Sequence, residues 1–104
     1  MRTIAEIRRV VSELAERYGA ERVYLFGSYA RGDAHEDSDV DLRVNTDKTW
    51  GLFKFAGLLC DLEDAFGCHV DLVSTRALDN EFRREITPEE VLLYEQARAD
   101  APQD

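Results

Sequence analysis

At 104 residues, 44% hydrophobic and 34% charged, the chain has the make-up of one globular domain, and it holds no apolar run near the roughly 18 residues of a membrane span. A formal net charge of −9 argues against a surface that coats nucleic acid, because such binding draws on Lys and Arg to neutralise phosphates. At this length no second catalytic or substrate-binding domain is expected within the chain, and Met1-Arg2-Thr3-Ile4 opens an amphipathic pattern and not a signal peptide, so a cytoplasmic protein is expected.

Ile4, Ile7, Val11, Leu14 and Tyr18 recur at spacings of three and four among charged residues, which predicts an amphipathic helix over 2–18. Thr3 and Glu6 have the spacing of a capping box, and Gly19 is placed to end the helix in the left-handed conformation. Arg22 to Phe26 is a β-branched and aromatic run that reads as a strand. Gly27-Ser28 follows as a turn into a short helix. The polar segment 33–38 is a loop that returns the chain to a second strand, Asp39 to Val44. The connection is too short for a parallel crossover, so the two strands are expected to be antiparallel.

Residues 45–48 read as a turn. A helix is expected over 49–66, with Phe53, Ala56, Leu59, Cys60 and Leu62 on its apolar stripe and Leu52, Phe55, Leu58 and Phe66 widening it. Gly57 inside this helix implies close packing, since glycine there is less stable than alanine by up to about 1 kcal/mol. Gly67 closes the helix, and 68–73 form a third strand in which Asp71 alternates with Val70 and Leu72. A short helix is expected over 76–86, and the run 91–94 fits either helix or strand, with its brevity and the break at Pro88 favouring a short strand. Residues 1–97 are expected to form the domain and 98–104 a flexible C-terminal tail. Cys60 and Cys68 lack any paired-ligand spacing and are expected as reduced thiols packed in or near the core.

The chemistry concentrates on three aspartates. In a strand, residues two apart share a face, so Asp39 and Asp41 project together while Val40, Leu42 and Val44 face the core. With Asp71 on a neighbouring strand they form an oxygen-rich pocket of the kind that selects hard divalent cations such as Mg²⁺. Two side-by-side carboxylates can bridge a pair of ions suited to phosphoryl transfer, and without a cation they raise one another's pKa. Gly27 and Ser28, at the start of a helix, offer backbone N–H groups and a hydroxyl to phosphate oxygens. The cradle and the carboxylates would face one another across a nucleoside triphosphate.

Gly27-Ser28, ten residues, then Asp39-Val40-Asp41 resembles the G-S-x10-D-x-D signature of the DNA polymerase β-like nucleotidyltransferases, and Asp71 is similar to their third carboxylate on a later strand. The form Gly27-Ser28-Tyr29-Ala30-Arg31-Gly32 and the short chain most resemble the minimal nucleotidyltransferase, or MNT, domains, over about residues 4 to 95. This resemblance implies an α/β (α+β) fold, a small mixed sheet with helices packed on it. It implies that Gly27 and Ser28 hold the triphosphate, that Asp39, Asp41 and Asp71 ligate two Mg²⁺ ions, and that Asp71 accepts the proton of the incoming hydroxyl. It further implies an antitoxin that transfers AMP from ATP to a tyrosine of a HEPN ribonuclease toxin in a hetero-oligomer, with no direct nucleic-acid or membrane partner. Two alternatives stand beside it: a non-catalytic antitoxin that neutralises by covering its partner, and a nucleotidyltransferase acting on a small molecule or RNA end.

Arg31 can touch phosphate or pair with a loop acid, and Ser38 is expected to cap its loop. Arg43 shares the face of Asp39 and Asp41 and is expected to serve as a counter-ion. His35 and His69 are read as structural or surface residues. Trp50, Phe53 and Phe55 are core candidates that could instead form a partner-binding patch.

Overall fold

The computed structural model describes residues 2–46, 50–77, 84 and 87–97. In chain order the elements are α1 (Ile4–Tyr18), β1 (Arg22–Phe26), α2 (Gly27–Arg31), β2 (Val40–Asn45), α3 (Leu52–Phe66), β3 (Val70–Ser74), and β4 (Val91–Glu95), with 3₁₀ turns at Thr75–Ala77 and Thr87–Glu89. Four strands form one mixed sheet in the order β3-β2-β1-β4. β1 is antiparallel to both β2 and β4, as the short β1–β2 connection requires, whereas β3 returns parallel to β2 after the α3 crossover. No helix among the described residues is long and apolar enough to cross a membrane.

Local sequence fixes α1 at both ends. The Thr3 side chain accepts from the Glu6 N–H at 3.1 Å while the Glu6 carboxylate accepts from the Thr3 N–H at 2.8 Å, a reciprocal cap that contributes about 1 kcal/mol. Gly19 then leaves the helix at φ 79°. Ile7, Val11, Leu14 and Ala15 turn inward against Leu25, Val40, Leu42 and Val44 of the sheet and Leu58, Leu62 and Phe66 of α3. Burial of these side chains is the main stabilising term.

The stripe of α3 has a different phase from the one expected. Leu58, Leu62 and Phe66 are buried, but Leu52 and Phe53 are 78% and 92% exposed and Cys60 is exposed. At about 100° per residue, Phe53 lies on the far side of the helix from Leu62, and Cys60 lies nearly in line with Phe53. The helix carries apolar residues on two sides, and packing against α1 and the sheet selects the Leu58–Leu62–Phe66 side. The close approach implied by Gly57 is present: a Cβ there would stand 3.0 Å from the Tyr18 hydroxyl, which donates to Asp61 Oδ2 at 2.7 Å.

The helix starts at Leu52, and residues 47–49, from the expected turn and helix start, lie outside the described residues. Of the helix expected over 76–86, Arg76 and Ala77 belong to a 3₁₀ turn and most of the remainder lies outside the described residues, as does the tail 98–104. The expected strand at 91–94 is β4, one residue longer.

Candidate active site

β1 ends at Phe26, and the chain turns at once into α2 through Gly27, whose φ is +75°. Phe26 pairs with Asp41 across the antiparallel ladder, so this turn passes directly over the Asp41 side chain. A Cβ on residue 27 would overlap the Asp41 carboxylate. Glycine is therefore required twice here, for its backbone angle and for the space beside it. Ser28 follows, half-buried in the first turn of α2.

On the other side of β2, the parallel register pairs Asp41 with Asp71. Both point away from the helix-covered face, because Val40, Leu42 and Val70 occupy that face and are buried. Asp39, just before β2, is exposed. Ligand atoms of Asp39, His69 and Asp71 all lie within 4.8 Å of one another. Of the five residues expected at the site, Gly27 and Ser28 open α2, Asp39 stands just before β2, Asp41 lies on β2 and Asp71 on β3. The structure sets Gly27 against Asp41, Asp41 against Asp71, and Asp39 near Asp71, and it adds His69.

The electrostatics are those of crowded anions. Burial, the hydrogen bond and charge of Asp71, and then the charge of Asp39 push the Asp41 carboxyl from 3.8 up to about 6, while Arg31 opposes the rise. Like charges held this close favour a shared proton or a bound cation. The donor set, the Asp39 and Asp71 carboxylates clustered with His69 and Asp41 in register with Asp71, is rich in the oxygen ligands that suit a hard divalent ion such as Mg²⁺.

His69 was not expected at the site. Its Nε2 is 3.0 Å from Asp71 Oδ1, and its Nδ1 is 3.4 Å from Glu63 Oε2 at the end of α3. The hydrogen bond to Asp71 is the first cause holding its pKa above the ordinary 6.5, and the charges of Asp71, Asp39 and Glu63 add to it. A spacing of two residues on a strand was the available signal. Its other partner, Glu63, lies across the α3–β3 turn, where no spacing rule reaches.

The remaining polar residues do structural work. Arg43 is buried, with its guanidinium on both Glu90 oxygens at 2.5 and 2.7 Å and on the Thr75 hydroxyl at 2.5 Å, stacked 4.1 Å over the Tyr24 ring. It is the expected counter-ion, with Glu90 and not the site as its partner. Arg31 pairs with Asp33 and with Glu89, at 3.4 and 3.2 Å. The Ser38 hydroxyl accepts from the His35 N–H at 2.9 Å, which closes the loop before β2.

Residues 9–99 match the family model described as Polymerase beta, Nucleotidyltransferase. The chain is similar to the protein adenylyltransferase MntA of Thermococcus cleftensis, 39% identical over 95 residues that make up 88% of this chain and 96% of that protein. A solved structure described as a candidate minimal nucleotidyltransferase is 39% identical with a TM-score of 0.74, covering 86% of this chain and 95% of that one. A toxin–antitoxin crystal structure with AMP-PNP aligns at a TM-score of 0.76 and 25% identity, over 86% of this chain and 73% of that one.

Proposed function

The chain belongs to the polymerase β nucleotidyltransferase family, and on that premise we propose that it is the adenylyltransferase antitoxin of a toxin–antitoxin pair, moving AMP from ATP onto a tyrosine of a HEPN ribonuclease. The observation that carries this reading is the placement of Asp41 in register with Asp71 and directly beneath the Gly27 turn. Carboxylates on one side and a glycine-opened helix start on the other match a triphosphate gripped at both ends. Support for a protein acceptor comes from the relatives: MntA carries the name protein adenylyltransferase, and a similar fold occurs in a toxin–antitoxin assembly with an ATP analogue.

In this reading the N–H groups at Gly27 and Ser28 and the Ser28 hydroxyl bind phosphate oxygens and fix the triphosphate over β2. Asp39, Asp41 and Asp71 hold two Mg²⁺ ions, which when bound supply charge neutralisation for the triphosphate and for the leaving pyrophosphate. Asp71, exposed at the start of β3, faces the incoming hydroxyl and accepts its proton as the new bond to the α-phosphorus forms and the bond to pyrophosphate breaks. Orientation of the acceptor supplies much of the rate enhancement in such transfers, and here the partner provides it. The −9 charge suits a basic partner. A cytoplasmic site of action follows from this role.

The test incubates the chain with a candidate HEPN partner and ATP labelled at the α-phosphate. Label transfer to a partner tyrosine is expected, and Asp39→Asn with Asp41→Asn should abolish it. If the double variant labels the partner as well as the unaltered chain does, the catalytic reading fails. If the unaltered chain neutralises the partner without labelling it, the covering mode of action replaces it.

A further inference from the structure

Glu63 is a residue for which the proposed chemistry has no use, yet its carboxylate is doubly engaged. Its Oε2 accepts from the Val70 N–H at 3.2 Å and lies 3.4 Å from His69 Nδ1. One carboxylate at the end of α3 thereby fixes both the first backbone group of β3 and the ring beside it. The ring's opposite nitrogen, Nε2, is 3.0 Å from Asp71 Oδ1. His69, just before β3, is two residues from Asp71 in extended chain, so the two lie on the same side of the sheet, with Asp41 beside Asp71 in the parallel register.

We propose that Glu63 and His69 are positioning residues for Asp71, forming a carboxylate–imidazole–carboxylate chain that aims the third aspartate at the metal and acceptor; this inference rests on the nucleotidyltransferase reading of the site. The need for such a chain is geometric. Asp41 is held by packing, since the Gly27 turn covers it and Asp71 contacts it. Asp71 is 54% exposed on its side chain, so packing restrains it less than it restrains Asp41, and a carboxylate that must be ordered on binding ligates less tightly than one already aimed. The His69 contact fixes one Asp71 oxygen and leaves the rest of the group turned toward Asp41. Partners of this kind behind a ligating group typically change metal affinity by about 10- to 100-fold when removed.

The experiment titrates Mn²⁺ alone into the full chain and follows loss of the free-ion EPR signal, with circular dichroism and thermal melts confirming that each variant is folded. Asp41→Asn should remove most binding. His69→Ala should weaken it by about tenfold, Glu63→Gln should weaken it less, and His69→Gln, whose amide N–H reaches about as far as Nε2, should restore it to within about threefold of the unaltered chain. If His69→Ala binds Mn²⁺ as the unaltered chain does while Asp41→Asn does not, the positioning role is overturned and the site reading survives. If His69→Gln is as weak as His69→Ala, the imidazole itself ligates, which also overturns positioning. If Asp41→Asn and Asp39→Asn leave binding unchanged, the metal site is wrong and the inference falls with it.

Discussion

Replacing Asp41 by asparagine should make the metal-free protein more stable at neutral pH, although it removes a residue the proposed chemistry requires. The carboxyl moves from 3.8 to about 6 on folding, so the folded chain binds a proton more tightly than the unfolded chain does. Its stabilising contribution is complete below 3.8 and is lost as pH rises through about 6. A tenfold change in proton affinity is about 1.4 kcal/mol, so the full shift corresponds to about 3 kcal/mol; for a half-buried group, solvent screening reduces this to about 1.5 kcal/mol. In a domain of this size the gain at pH 7 corresponds to a rise in Tm of about 5–10 °C. Thermal melts of both proteins from pH 3.5 to 8 in EDTA provide the measurement. The difference should be close to zero at pH 3.5 and should grow to its full value by about pH 7. Saturating Mg²⁺ should close the gap by stabilising the unaltered protein and not the variant. An asparagine variant that is no more stable at pH 7, or a difference that does not change with pH, would refute the picture of crowded anions.

Three further outcomes follow from single contacts. Gly27→Ala forces a Cβ into the Asp41 carboxylate at a left-handed backbone angle, and should lower stability by about 1–3 kcal/mol while eliminating label transfer from ATP; chemical denaturation and the transfer assay report the two effects. Arg43→Met leaves Glu90, whose side chain is 4% exposed, as an unpaired buried charge and should lower stability by about 3–5 kcal/mol, with Glu90→Leu in the same chain recovering most of the loss. Gly57→Ala should destabilise, because its Cβ would crowd the Tyr18 hydroxyl. Combined with Tyr18→Phe the sign should reverse, exposing the alanine preference of up to about 1 kcal/mol; urea titration of the four proteins tests this.

Features encoded within a few residues of one another were legible in the sequence. Thr3 and Glu6 cap α1 as their spacing implies, Gly27-Ser28 opens α2, and the alternation of Asp39, Val40, Asp41 and Leu42 sorts core from site. The polar loop at 33–38 also fixed the antiparallel sense of β1 and β2. What was not legible depends on contacts between distant segments. The apolar residues of α3 lie on two sides, and only the presence of α1 and the sheet decides that Phe53 faces solvent and Leu58 does not. The partner of Arg43 is Glu90, 47 positions away, and no periodicity connects them. His69 gained its place through Glu63, six residues earlier on a different element. That Asp71 joins Asp39 and Asp41 was legible, but its position level with Asp41 depends on the parallel register of β2 and β3, which a list of strands does not give.

The strand order has a consequence for the durability of the site. Asp41 lies on β2, hydrogen-bonded on both sides, while Asp71 lies on β3, which among the described residues is at the edge of the sheet and bonded to β2 alone. Edge elements detach in local openings that leave interior strands intact. Amide protons of β3 should therefore exchange sooner than those of β2, and a brief detachment of β3 would carry away Asp71 and His69 while Gly27, Ser28 and Asp41 stayed in place. On this expectation Gly27, Ser28 and Asp41 form the durable half of the site, and the opening rate of β3 would set how long the assembled site persists.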